Sequence, residues 1–167
     1  SGRFPLVVYQ HVSLKDAEIQ VRFKPMSGRV DQAAGLIWRY TDENNYYVVR
    51  SNALEHNVVL YKVENGKRSS LPPVGESAET YGVKHTVPSQ TWSTLAVAFI
   101  GTRFTVSFDG ERLFEVEDST FSGAGKVGRE LHVLGHQPHR EAAVERARQD
   151  PSGQVHLGDA AASAAGI

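Results

Sequence analysis

The sequence predicts an all-β protein, an antiparallel β-sandwich, on three observations. Short runs rich in β-branched and aromatic residues alternate apolar with polar positions. Asn-Gly, Asp-Gly and Asp/Asn-rich punctuation separates them, and no helical periodicity appears before residue 128. Strands separated in this way bury their apolar faces by stacking two sheets.

Leu6 to His11 is the first strand, preceded by Pro5, which sits acceptably at a strand's start; it reads as an edge. From Glu18 to Lys24, Ile19, Val21 and Phe23 face one way and Glu18, Gln20, Arg22 and Lys24 the other, the half-buried pattern of an antiparallel sheet. Residues 35 to 63 form a three-strand meander. Its first turn, Thr41 to Asn45, is built of residues that tolerate left-handed backbone angles and bond their own main chain. Glu64-Asn65-Gly66-Lys67 is a hairpin turn, after which a polar passage through Pro72, Pro73, Gly75, Gly82 and Pro88 reads as a loop with one short strand at most. Leu95, Val97 and Phe99 restore alternation behind Trp92. Gly101 turns the chain into Phe104, Val106 and Phe108, and Asp109-Gly110 turns it again into Leu113 to Val116.

Residues 1–128 are therefore assigned to the sandwich and 129–167 to an atypical, partly helical or disordered C-terminal tail. Leu131 and Val133 suggest a short strand over 130–134. Pro138 with an Ala/Arg/Glu run predicts a short helix over 139–149, and the small residues from Ala160 to Gly166 predict a flexible end.

The chain has 167 residues, enough for a core without metal or disulfide support, and it contains no cysteine. That excludes thiol catalysis and thiolate metal sites. Lys and Arg number 18 against 19 Asp and Glu, with no basic run, so nucleic acid is not an expected partner. No apolar run approaches the roughly 20 residues of a membrane helix, so membrane insertion is not expected either. The start Ser-Gly-Arg-Phe-Pro carries no signal peptide, and a removed one would leave the same appearance. No Gly-x-Ser-x-Gly elbow, phosphate-cradling loop or His-Glu-x-x-His occurs.

Within the meander the basic residues Arg39, Arg50 and Lys62 fall one per strand. If each marks the face away from the core, strand alternation places Leu36, Trp38, Tyr40, Tyr47, Val49, Val59, Tyr61 and Val63 inside. The open face then carries Ile37, Arg39, Tyr46, Val48, Arg50, Asn52, His56, Val58, Leu60 and Lys62. Arg39, Arg50, Asn52 and Lys62 would donate hydrogen bonds to sugar hydroxyls, while Tyr46 and His56 supply a stacking surface. Trp38 and Trp92 are read as core.

Other candidates are weaker. Glu115 and Glu117 share a strand face near the separation of about 5 Å that retaining glycosidases use, but read more simply as a solvated edge beside Arg112. Asp42, Glu43 and Asn44 offer oxygens to Ca²⁺, and more simply form a turn. His132, His136 and His139 have a metal-like spacing that Gly135 and Pro138 interrupt. His56 or Glu55 near Arg50 could serve as base and electrophile in an elimination.

Ala34-Gly-Leu-Ile-Trp-Arg-Tyr, Asp42-Glu-Asn-Asn-Tyr-Tyr-Val-Val-Arg, Val59-Leu-Tyr-Lys-Val-Glu-Asn-Gly-Lys, Trp92-Ser-Thr-Leu, Phe108-Asp-Gly-Glu-Arg-Leu-Phe and Phe121-Ser-Gly-Ala-Gly-Lys-Val-Gly resemble the bacterial DUF1080 domains, also labelled 3-keto-disaccharide hydrolases. That family belongs to the concanavalin A-like lectins and glucanases. The resemblance covers roughly residues 15 to 128 and implies a jelly roll, carbohydrate as partner, and a secreted, periplasmic or extracellular protein. One such fold serves several functions. The donor-rich meander face and the resemblance together point first to a carbohydrate-binding domain without strong catalysis and with no cofactor, with a hydrolase or lyase of (3-keto-)disaccharides or glucans as the alternative and a structural or adhesion module as the second. Two departures stand out. Gly128 is not followed by the family's aromatic and Asp-rich closing strands, and Glu115-Val-Glu-Asp lacks the Glu-x-Asp-x-x-Glu spacing of the related glucanases.

Overall fold

A computed structural model describes residues 6–25, 33–132 and 148–162. Among them every regular element is a strand: β1 (Leu6–Leu14), β2 (Ala17–Pro25), β3 (Ala33–Asp42), β4 (Asn45–Asn52), β5 (Asn57–Glu64), β6 (Lys67–Ser70), β7 (Val83–Lys84), β8 (Ser93–Ile100), β9 (Arg103–Phe108), β10 (Glu111–Glu117), β11 (Gly125–His132), β12 (Arg148–Gln149) and β13 (Gln154–Ala162). One sheet has the order β1-β11-β3-β4-β5-β6, with β7 also pairing β5; the other runs β10-β9-β8-β2-β13-β12. The all-β sandwich expected from the alternation is what forms, and β1 lies at an edge as its sequence suggested.

The core between the sheets follows from period-2 burial. Ile19, Val21 and Phe23 of β2 meet Leu95, Val97 and Phe99 of β8 and Phe104, Val106 and Phe108 of β9, and these pack on Leu36, Trp38, Tyr47, Val49, Val58 and Leu60 of the first sheet. Trp38 is fully buried, stacked at 5.6 Å on Tyr47 and 6.0 Å on Phe99, with Phe104 edge-on at 5.4 Å.

Trp92 departs from its expected core role: it is 38% exposed, with the Arg22 guanidinium 4.4 Å from its ring centre. It lies just before β8 begins at Ser93, so no strand carries it inward.

A second correction concerns the meander's sidedness. Arg39 has φ 49°, and the pairing of β3 slips between Trp38 and Asp42. This bulge turns two consecutive side chains, Trp38 and Arg39, the same way. Arg39 is only 1% exposed, and its guanidinium donates to the carbonyls of Lys15, Gly101 and Phe121. Tyr40 is thereby sent to the outer face. β5 is inverted relative to the expectation as well. Its register pairs Tyr47 with Lys62 and Val48 with Tyr61, so Val58 and Leu60 enter the core and Val59, Tyr61 and Val63 face out. Lys62 stands at the rim of the inner face, where its ammonium donates to Thr120 and lies 3.9 Å from Asp118.

The chain beyond residue 128 also differs from expectation. β11 continues through Gly128 to His132, inserted between β1 and β3, so a boundary at 128 cuts a strand. β13 lies parallel to β2, and its Val155 and Leu157 are in the core. Apolar alternation at Val155 and Leu157 and pairing to an open β2 edge make residues 154–162 a strand, which takes in Ala160 to Ala162 of the expected flexible end; the rest of that end, 163–166, lies outside the described residues. The helix expected over 139–149 falls outside the described residues except for Arg148 and Gln149, which form β12.

Candidate functional site

The outer face of the first sheet carries a second apolar cluster. Ile37, Val48, Val59 and Tyr61 are at most 5% exposed, with Leu6, Tyr40 and Tyr46 packed against them. Alternation explains the set, since Val48 pairs with Tyr61 and Arg50 with Val59, and directly paired residues share a face. On this floor lies a cavity of about 1100 Å³, walled by Leu6 to Val8 and Gln10 of β1, by Tyr40, Tyr46, Val48 and Val63, and by Glu43, Asn44, Gly66, Arg68 and Glu130. One rim is stitched by hydrogen bonds between two turns, Gly66 N to the Asn44 carbonyl and Asn65 N to Asn45 Oδ1.

Glu130 is the group with most chemistry here. It projects from β11 opposite Gly35, where a Cβ would stand 2.9 Å from the Val49 carbonyl and in ordinary contact, 3.4 Å, with Glu130 Cβ, so a side chain at position 35 would press on the β4 backbone beside the carboxylate. Glu130 accepts from Arg50 Nη2 at 2.6 Å, with side-chain exposures of 4% and 12%. Arg50 also lies 5.9 Å from the Tyr61 ring centre. Charge, ring edges and hydroxyls therefore converge on one wall. Tyr40 and Tyr46 lie 5.6 Å apart, tilted by 33°. Burial raises the Tyr46 pKa, and Glu130 adds to the rise while Arg68 opposes it. Burial likewise raises Tyr40, helped by Glu43 and Asp42. Both phenols thus stay neutral donors and acceptors at ordinary pH. Burial, together with the Tyr81 hydroxyl, raises Tyr61 further.

Of the residues singled out from sequence, Tyr46 lines the cavity and Arg50 reaches it through Glu130. Glu43 and Asn44, offered by the sequence as oxygen donors to Ca²⁺, line it too, and the remaining candidates lie elsewhere. Arg39 is in the core and Lys62 at the opposite rim. Asn52 is 6% exposed, its Oδ1 capping the following turn by accepting from Leu54 N and Glu55 N. His56 sits in that turn at φ 49°, its Nδ1 accepting from Val87 N, and Glu55 accepts from Asn57. Asp42 Oδ1 is occupied within its own turn by Asn44 N and Asn45 Nδ2. Glu115 and Glu117 belong to edge strand β10 of the other sheet. There Glu115 pairs with Arg103 and Arg112 at 2.6 Å each, and Glu117 with Arg103 at 3.4 Å. Both Glu115 carboxylate oxygens are thus engaged by guanidiniums at the edge of that sheet, away from the cavity. His136 and His139 lie outside the described residues, and His132 is described only as part of β11. Among the described residues no group of three or more His, Asp or Glu could hold a metal ion.

Tyr40, Glu130 and Arg68 are the residues the sequence reading missed. Tyr40 was hidden by the bulge. Glu130 was hidden by ending the sandwich at 128, although continuing the alternation from Val127 places it outward beside Arg50. Arg68 pairs with Val63, and the inverted sidedness of β5 had put that position inside.

Comparison with known proteins agrees with the architecture. No curated protein matches the chain. Among solved structures it is similar to the carbohydrate-binding module CBM66 from Bacillus subtilis, at TM-score 0.61 and 22% identity, covering 72% of this chain and 70% of that one. Sheep galectin-11 in complex with glycerol superposes at TM-score 0.56 and 10% identity, over 78% and 91% of the two chains. A tetrameric galectin from the sponge Cinachyrella does so at 0.52 and 17%, over 78% and 90%. These are likenesses of fold. Residues 9–128, well over half the chain, match the family described as the beta xylosidase C-terminal concanavalin A-like domain, and the chain belongs to that family.

Proposed function

We propose that this domain is a carbohydrate-binding module which holds a neutral sugar in the cavity on the outer face of the seven-stranded sheet. The observation that carries the reading is Glu130, a carboxylate 3% exposed on an outer sheet face, set by Arg50 at 2.6 Å into the wall of a cavity that Tyr40, Tyr46 and Arg68 also line. A buried ion pair costs desolvation, and this one lies where an anionic acceptor and cationic donors meet polyol hydroxyls. Tyr40 and Tyr46 offer the flat apolar surface that a sugar's C–H face covers. The structural neighbours support the same reading, since one is a carbohydrate-binding module and others are galectins. The reading invokes no cofactor and suits a secreted or periplasmic protein that meets glycans.

Calorimetric or NMR titration with xylo-, galacto- and gluco-configured sugars tests it. Binding should appear, and Glu130→Gln should weaken it about tenfold or more, the loss of a charge-assisted hydrogen bond of about 1.5–3 kcal/mol. Absence of binding at millimolar sugar, or equal affinity in a folded Glu130→Gln protein, would refute it.

A hydrolytic reading follows from the resemblance to DUF1080 and from one observation, that Glu43 and Glu130 line the same cavity. Most glycoside hydrolases use a pair of carboxyl groups flanking the scissile bond. Incubation with 3-keto-disaccharides and xylo-oligosaccharides, comparing wild type with Glu43→Gln, decides it: no product above the variant's level removes the enzyme.

A further inference from the structure

The cavity's extent bears on what kind of carbohydrate it takes. Its walls come from β1, β11, β3, β4, β5 and β6 in turn, from Leu6 and Val8 through Glu130 and Tyr46 to Val63 and Arg68. Those strands are separated by five interstrand steps of about 4.8 Å, so the depression crosses about 24 Å of sheet. A single sugar ring fills only a fraction of that length. A volume of about 1100 Å³ spread over such a span describes a groove running across the strands.

Beside the β6 end of the groove, Arg68 meets the first of a pair of aromatic rings that lie next to the groove lining. The Arg68 guanidinium lies 4.6 Å from the Tyr61 ring centre, and the Tyr61 hydroxyl shares a hydrogen bond with that of Tyr81. The Tyr61 and Tyr81 rings meet edge to face at 5.9 Å. Tyr81 belongs to the long loop between β6 and β7 and is 51% exposed. The loop is held against β5 beside it: a Cβ at Gly82 would lie 2.3 Å from the Val58 carbonyl and 2.7 Å from Val59, in a left-handed conformation at φ 57°. Tyr81 is thus an exposed ring on a segment pressed onto the sheet. Tyr61, to which it is tethered, stands two residues along β5 from Val63 in the groove floor, about 6.6 Å away.

We infer that the site takes a glycan chain of several units laid across the strands, with Tyr81 and Arg68 forming a subsite for a unit beyond the one held at Glu130. The inference rests on the carbohydrate reading above and adds chain length to it.

Titration of the whole chain with xylose, xylobiose and xylotriose, and with galactose against lactose and glucose against cellobiose, tests the wild type without any substitution. Affinity should rise from monosaccharide to trisaccharide in the series that binds. In Tyr81→Ala the oligosaccharide affinity should fall about two- to tenfold, the worth of about 0.5–1.5 kcal/mol from one aromatic contact, and the ratio of trisaccharide to monosaccharide affinity should move toward one. Tyr81→Phe keeps the ring and should keep most of that ratio, which separates loss of the stacking surface from loss of the hydroxyl tether. Equal affinity for monosaccharide and trisaccharide in the wild type overturns the inference while the carbohydrate site stands. A folded Tyr81→Ala or Tyr81→Leu protein with an undiminished ratio overturns it too, and no binding by any of these sugars overturns both readings.

Discussion

Glu130 and Arg50 each lie on an outer sheet face and are nevertheless almost closed off from water, at side-chain exposures of 4% and 12%. Removing one member of such a pair leaves the other charge desolvated and uncompensated, which costs about 3–5 kcal/mol, whereas replacing both by apolar residues of similar volume costs far less. Arg50→Met should therefore lower the urea midpoint more than the double variant Arg50→Met, Glu130→Leu; equal effects would show that the two charges do not depend on each other. Asp118 has a different pH signature. Partial burial works to raise its pKa, but hydrogen bonds from Tyr47 at 2.6 Å and from Thr120 outweigh it, and Lys62 adds to the lowering. Its folded pKa is below its unfolded one. The stabilisation it gives is therefore complete above the ordinary carboxylate range and is lost as pH falls through the lower folded value. Tyr47→Phe removes the main bond, so the variant's stability should fall less steeply than wild type between about pH 5 and 3; parallel curves would assign the acid sensitivity to other carboxylates.

At the scale of elements, the bulge in β3 decides more than any one strand. By turning Arg39 inward it ties the turn before β2, the β8–β9 turn and the segment before β11 to one guanidinium, through Lys15, Gly101 and Phe121. Arg39→Met keeps the stem but leaves those carbonyls without their donor, and should destabilise by about 2–4 kcal/mol at unchanged m-value. Arg39→Lys should rescue only in part, since one ammonium cannot match a planar fork. The same bulge explains what sequence could and could not show. Each strand with unbroken alternation was readable, so β2, β8 and β9 and their buried faces were foreseen. Arg39 and Lys62 misled because a basic residue was taken to mark the outer face. One is buried by a left-handed residue that no periodicity reveals, and the other escapes the inner face along its own aliphatic stem. Arg50 and Tyr46 were placed on the outer face correctly because β4 carries no such irregularity.

For the molecule as a whole, the match to the concanavalin A-like family ends at residue 128, while the sandwich does not. Residues 129–132 complete β11, which sits between β1 and β3, and without them Leu6 and Val7 lose their pairing to Glu130 and Arg129. Residues 154–162 supply β13, whose Leu157 is fully buried and whose Leu157 carbonyl accepts from the Tyr9 hydroxyl at 2.9 Å, linking the second sheet to β1 of the first. A chain cut at 128 would expose the β2 edge along its length and empty the core of Val155 and Leu157, each worth about 1.5–3 kcal/mol of burial. Against a total stability of about 5–15 kcal/mol, that loss with the lost half of β11 is enough to unfold the domain. The fragment 1–128 should therefore show little cooperative unfolding and should aggregate through its open edges. Leu157→Ala in the full chain offers a graded version, with an expected loss of about 2–5 kcal/mol in denaturant titration. If instead fragment 1–128 unfolds cooperatively at the full-chain midpoint, then β13 and the end of β11 are accessories to a sandwich that closes without them. Because Glu130 is itself removed by that cut, the fragment also separates the two roles of the segment: a folded fragment without sugar affinity would place residues 129–132 in the site and not in the fold.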